Sequence, residues 1–170
     1  DLASGSCREI WEIKREVPSI FRKTTFDCYD SDQASLDFSR KRLSSSNVNF
    51  IKENAAKIAL KKDVAKLVKK KYDIIYSTGL FDYLDDKIAE RLIKNLKRLL
   101  KKDGLLMISD VRDKYSNPSF HFMEWVGDWP LVYRSDENYR NLFVKAGFAE
   151  NQLETDYEQQ GIMQYIKAYN

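Results

Sequence analysis

The chain has two cysteines, one histidine and three prolines in 170 residues. Cys7 and Cys28 cannot build a disulfide framework. With His121 alone and no CxxC, the usual soft ligands for zinc are too few, so no metal is expected. The thiols are read as reduced, in a cytoplasmic protein, because no export signal opens the sequence. No apolar run approaches the ~20 residues that a bilayer crossing needs. Charge of one sign is also missing: Lys+Arg 29 against Asp+Glu 26 gives +3, too near balance to mark a nucleic-acid binder. No repeat, low-complexity tract or Pro/Gly linker divides the chain. What is present is 43% hydrophobic and 13% aromatic residues, enough apolar surface for a core. One compact domain over 1–170 is the expectation.

The hydrophobic pattern alternates between short β-rich runs and longer helical ones. Thr24–Tyr29, Val48–Lys52, Tyr72–Tyr76 and Leu105–Ser109 read as strands. Between them Ser31–Leu43, Ile58–Lys70 and Asp85–Lys101 carry apolar residues at helical spacing. In the last, Ile88, Leu92, Leu96 and Leu99 form one stripe, Asp85 and Asp86 suit the helix start, and Gly104 is expected to terminate it. Such alternation predicts a parallel α/β sheet covered by helices. Asp136–Ala146 reads as a further helix, and Asn151–Tyr157 and Ile162–Ala168 as a closing antiparallel hairpin. The first strand of such a sheet is largely missing, because Asp1-Leu2 runs straight into a turn. Upstream residues are therefore expected to supply it, with residue 1 not the biological start.

Chemistry concentrates at that turn. Asp1-Leu2-Ala3-Ser4-Gly5-Ser6-Cys7 is a small-residue loop opening a helix at Arg8. Small side chains let a ligand approach the backbone, and a helix start offers amide donors. Asp30 closes the next strand, where an acid can accept from both ribose hydroxyls of a nucleoside. It can equally cap the helix that follows, or do both. A nicotinamide dinucleotide is the competing ligand. Its G-x-G-x-x-G spacing, however, would place Arg8 where helix and strand must pack closely, and no substrate domain fits the length.

Taken in order, the motifs resemble the class I S-adenosylmethionine-dependent methyltransferases. Asp1 to Cys7 matches their D-x-G-x-G-x-G loop, with Ala3 and Cys7 in place of the outer glycines. Asp30-Ser31-Asp32 with Leu36 matches the acid of their second strand, and Phe50 to Ala55 the end of the third. Tyr72 to Leu80, Lys102 to Asp110 and Asn141 to Phe148 match the later steps. The resemblance implies a Rossmann-like doubly wound fold and S-adenosyl-L-methionine as cofactor. It implies that Asp1 and the Ala3, Ser4 and Gly5 backbone hold the methionine moiety, Asp30 the ribose and Ser31 the adenine edge. Asn54 and the Ala55 amide would meet the adenine, and Ser77 and Thr78 would lie beneath the sulfonium.

Residues 113–135 interrupt the alternation with Tyr115, Phe120, His121, Phe122, Trp125, Trp129 and Tyr133. This stretch reads either as a lid or apolar acceptor pocket, with His121, Tyr133 and Arg134 as polar handles, or as a helix packed on the sheet through Trp125 and Trp129. Phe122-Met123-Glu124-Trp125 through Tyr133-Arg134-Ser135 resembles a bacterial subgroup linked to an extracellular factor, a methylated 3-hydroxy fatty acid. That implies a small-molecule acceptor, a fatty-acid-like carboxylate or hydroxyl, with Arg134 pairing its acid. Two alternatives stand beside it. Lys61, Lys62, Lys66 and Lys69–Lys71 on one helix, with Lys94, Lys97, Arg98, Lys101 and Lys102 on another, could serve an RNA methyltransferase, although solvated helix faces look the same. Cys7 and Asn54 could instead mark a methyltransferase-like scaffold without activity.

Overall fold

The computed structural model describes residues 1–170. The order of elements is α1 (Arg8–Glu16), α2 (Pro18–Lys23), β1 (Phe26–Asp30), α3 (Gln33–Arg42), β2 (Val48–Lys52), α4 (Ala55–Leu60), β3 (Tyr72–Ser77), α5 (Asp86–Leu99), β4 (Leu100–Val111), α6 (Asp136–Lys145), β5 (Leu153–Tyr157) and β6 (Met163–Tyr169). This is the α/β class that the alternation predicts. No helix is long and apolar enough to cross a membrane. Where one compact unit is expected, the packing gathers into two, Asp1–Lys57 and Ile58–Asn170. The strands correspondingly form two ladders, β1-β2 and β3-β4-β6-β5.

In the first unit β1 and β2 pair in parallel, Phe26 against Val48 through Asp30 against Lys52. The only trace of a strand before α1 is Leu2, which makes a single parallel bridge to Tyr29. Cys7, Ile10, Phe21, Cys28, Leu43 and Val48 form the core, with Trp11 and Phe50 packed against it. α3 begins where Asp32 accepts from the Ala34 and Ser35 amides at 3.1 and 2.9 Å. This cap satisfies two of the four N–H groups that a helix start leaves open.

In the second unit β3 and β4 are parallel, while β6 runs antiparallel to both β4 and β5. The closing hairpin thus forms as the sequence predicts, with β6 inserted between β4 and β5. α5 buries Leu92, Leu96 and Leu99 of the predicted stripe together with Ala89 and Ile93, while Ile88 is half-buried. Tyr139 and Phe143 of α6 are fully buried and meet edge to face, their ring centres 5.5 Å apart.

Two sequence expectations are corrected. The helix expected over Ile58–Lys70 stops at Leu60, and only a short 3₁₀ turn, Val64–Lys66, follows. Asn95, a buried polar residue among the apolar positions of α5, donates its side-chain amide to the carbonyls of Ile58, Ala59 and Lys61 at 2.7, 3.2 and 2.9 Å. A helix continuing to Lys70 would need all three of those carbonyls for its own ladder. Gly104, in turn, does not end α5. The helix closes at Leu99, Leu100 is already extended, and Gly104 lies inside β4. A Cβ at Gly104 would stand 3.0 to 3.2 Å from the backbone oxygens of Lys101, Tyr72 and Asp73, beside the shift in the β3–β4 register. The glycine is there for close backbone approach. Gly104→Ala should therefore cost about 1–3 kcal/mol of stability, measured by urea denaturation, because three main-chain oxygens must move. An unchanged midpoint would show that the strand yields freely.

Candidate functional site

The loop before α1 folds through three residues in the left-handed region, Ala3, Gly5 and Cys7, at φ 57°, 47° and 47°. These are the alternate positions where the D-x-G-x-G-x-G pattern carries glycine. Only Gly5 adopts this backbone without cost; Ala3 and Cys7 each store about 1–2 kcal/mol of strain. The bend is held from several sides. The Ser4 amide donates to the Tyr29 carbonyl at 3.0 Å, and the Cys7 amide to the Ser4 carbonyl at 2.8 Å. Ser39 of α3, wholly buried, donates its hydroxyl to the Gly5 carbonyl at 2.9 Å.

Asp30 ties this bend to the end of β1. Its Oδ2 accepts from the Gly5 amide and its Oδ1 from the Asp32 amide, both at 2.8 Å. An ionised carboxylate offers about four lone-pair sites, so each oxygen retains one for a ligand. Asp30 thus combines the two roles open to it, turning into α3 and facing the bend. Ser31, beside it, is exposed.

At the same edge the Asp30 carbonyl accepts from the Glu53 amide at 2.9 Å, which brings the end of β2 alongside. Asn54 is exposed, and its Oδ1 accepts from the Ala56 amide at 2.8 Å. Its first task is therefore to start α4. Ala55 opens that helix, so its amide has no partner within it.

Asp1 sits below the bend. Its carboxylate and the Cys7 and Cys28 thiols lie within 4.8 Å of one another, and Asp1 Oδ2 is buried with no hydrogen-bond partner. The cysteine count concealed this convergence, since Cys28 lies on a strand distant in sequence from the loop that carries Asp1 and Cys7. The hydrogen bond with Cys7, together with burial, pushes the Cys28 thiol well above its ordinary value.

In the second unit Ser77 is the last residue of β3 and fully buried, and Thr78 follows half-buried. Ligands of parallel α/β sheets collect at such carboxyl ends. At the end of β4, Asp110 is fully buried and meets Arg134, itself 3% exposed.

Arg134 does not have the disposition expected of an acceptor handle. Its guanidinium donates to Asp86 at 2.9 Å, to Asp110 at 3.1 Å and to the carbonyls of Phe81 and Leu84. Four of its five donors are spent inside the protein, and a buried guanidinium so engaged has little left for an acid. The sequence signal was slight: a lone arginine following Leu131-Val132-Tyr133. Asp82 was not singled out, and Asp86 and Asp110 were read only as a helix start and the end of a motif, because nothing local shows that either meets an arginine.

Arg134 instead closes the aromatic insert. The Asp113 amide donates to the Arg134 carbonyl at 3.1 Å, and Arg112 and Arg134 form a parallel bridge, so the two ends of the segment meet. Inside it Phe122–Val126 forms one π-helical turn. Trp125 is 77% exposed and Trp129 49%, which sets aside the reading in which they pack the sheet. His121 lies between two rings, 5.1 Å from Phe120 and 4.5 Å from Trp125. Tyr133 meets Phe120 edge to face at 4.7 Å, and its hydroxyl is buried without a partner. Of the three acceptor-side residues, His121 and Tyr133 thus share one aromatic cluster, and Arg134 does not join it.

A small-residue bend before α1 thus meets an acid at the end of the adjoining strand, in a chain of the α/β class. The family described as methyltransferase domain matches residues 1–106, and the chain belongs to it. It is similar at 28% identity over 83 residues to a bifunctional glycosyltransferase/methyltransferase of Fusobacterium nucleatum, covering 49% of this chain and 12% of that protein. Among solved structures, PigF with SAH superposes at TM-score 0.74 and 16% identity, over 100% of this chain and 49% of that one. Human N-acetylserotonin methyltransferase in complex with SAM does so at TM-score 0.69 and 15% identity, over 100% and 46%. The chain spans about half the length of these structures.

Burial pushes the Asp110 carboxyl up to about 7, against the opposing pull of Arg134. The unfolded chain, with a carboxyl near ~4, holds that proton less tightly. This contribution to stability is complete below the unfolded value and is lost as the pH rises through the folded one. Urea midpoints measured from roughly pH 5 to 8 should therefore fall more steeply for the native chain than for Asp110→Asn. Parallel profiles would show that Asp110 is ionised throughout.

Proposed function

We propose that this chain is an S-adenosylmethionine-dependent methyltransferase acting on a small acceptor with an apolar tail, a fatty-acid-like carboxylate or hydroxyl. The observation that carries the reading is the Asp30 carboxylate bound to the Gly5 amide, with a lone pair left on each oxygen. The residues fit the cofactor on two counts. A Cβ built at Gly5 meets nothing within 4 Å, so the bend has open space beside its backbone. Asp1 Oδ2 is a buried acceptor that nothing in the chain satisfies, suited to an ammonium group.

When bound, the cofactor supplies an electrophilic methyl group on a sulfonium. Asp30 would accept from the ribose hydroxyls, and the Ala3 to Gly5 backbone with Asp1 would hold the amino-acid end. Ser31, Asn54 and the Ala55 amide take the adenine, the lone pair that α4 leaves on Asn54 Oδ1 serving its amino group. Ser77 and Thr78 keep the cofactor-side role that their motif implies. In-line displacement asks mainly for positioning and exclusion of water. A carboxylate acceptor needs no base; for a hydroxyl, His121 is the group to remove its proton.

The acceptor reading rests on the insert. Phe122, Trp125 and Val126 are 67%, 77% and 71% exposed, an apolar surface unusual on a soluble domain and suited to an alkyl chain. The resemblance to the extracellular-factor subgroup points the same way. With Arg134 engaged elsewhere, recognition of an acid group falls to His121 or Tyr133.

Calorimetry on the chain is expected to show saturable binding of S-adenosylmethionine and of its demethylated product. Asp30→Ala should weaken both by ~1–3 kcal/mol, about 5- to 150-fold in dissociation constant. No heat from either ligand would defeat the proposal, and an unchanged constant in a folded variant would show that Asp30 is misassigned.

A further inference from the structure

A concave site on the second unit is lined by Lys61, Lys62, Arg91, Lys94 and Arg98, with a volume of about 300 Å³. The five cations come from the turn after α4 and from successive turns of one face of α5. No carboxylate lines the cavity. Several cations elsewhere are matched locally, as in Arg40–Asp37, Lys101–Asp73 and Arg112–Asp136. Here Lys61, Lys62, Arg91 and Lys94 make no ion pair. Arg98 reaches only the Lys62 carbonyl and Asn95 Oδ1, both at 3.3 Å.

The cluster is built rather than incidental. Asn95, 5% exposed, takes the carbonyls of Ile58, Ala59 and Lys61 and so fixes the turn that presents Lys61 and Lys62 next to α5. This is the same contact that breaks the expected helix. Five like charges held around one cavity repel one another, and a counter-anion relieves that repulsion.

We infer that this cleft binds a small phosphorylated anion, of the diphosphate or phosphate-ester kind, independently of methyl transfer. Charge density selects phosphate over carboxylate: a phosphate monoester carries about −1.5 to −2 and offers three acceptor oxygens. Arg91 and Arg98 supply planar forks that match it, and the lysines supply point charges. The volume lies at the small end of ligand-sized pockets, which run roughly 300–1,000 Å³. No aromatic residue lines the site for bases to stack on, so a nucleic-acid strand is the poorer fit.

Inorganic pyrophosphate is the probe, titrated calorimetrically into the whole chain at two salt concentrations. Saturable binding that weakens with salt is expected, together with a loss of roughly tenfold or more in Arg91→Glu combined with Lys94→Glu. Both positions are exposed, so the fold should tolerate the change. Lys61→Gln with Lys62→Gln gives a second, milder pair, also expected to weaken binding. Affinity for S-adenosylmethionine should stay the same in all variants, which separates failure here from failure of the methyltransferase reading. Absent saturation, or an affinity in both variant pairs equal to that of the native chain, overturns the inference. So does an RNA oligonucleotide or polyglutamate peptide that binds the cleft and is not displaced by pyrophosphate.

Discussion

One carboxylate, Asp30, orders the first unit. By accepting from the Gly5 and Asp32 amides it joins the bend before α1 to the turn into α3. Its own carbonyl takes the Glu53 amide, so the ends of β1 and β2 are set side by side. Charge-assisted bonds of this kind are about twice as strong as neutral ones, and here they offset the strain of left-handed backbone at Ala3 and Cys7. Without that anchor, Ala3 and Cys7 would have little reason to remain in a conformation that side chains disfavour. The acid that the methyltransferase pattern reserves for a nucleoside is thus also what shapes the loop.

Arg134 plays the corresponding part in the second unit. It is buried against Asp110 and bonded to Asp86 and to the backbone that leads into α5, and it pins the end of the aromatic insert. Such an arginine can hold a segment that has little core of its own. The rings of Phe122 and Trp125 are then free to face solvent, where an apolar ligand can meet them. Removing one partner of a buried ion pair costs about 3–5 kcal/mol, so the insert and the fold are energetically linked.

Much of the fold was legible because periodicity reports burial directly. The stripe of α5, the strand Val48–Lys52 and the closing hairpin follow from spacing alone. The glycine loop and Asp30 were legible as well, since small residues before a helix and an acid after a strand carry local signals. The failures share a cause. Asn95 ended a helix that lies far from it in sequence, and Gly104 answered to a neighbouring strand rather than to its own helix. The Asp1, Cys7 and Cys28 grouping, and the aspartates around Arg134, depend on which segments meet, and no local pattern encodes that.

By itself, then, the sequence determined the order of helices and strands, the membership in the methyltransferase-domain family and the position of the small-residue bend and its acid. These rest on local spacing, turn chemistry and backbone preference. Tertiary structure alone decided that Arg134 is a buried tie, that Phe122, Trp125 and Trp129 of the insert face outward, and that five cations line one cleft. Burial and charge pairing arise only when distant segments come together, and they override what each residue type would do on its own.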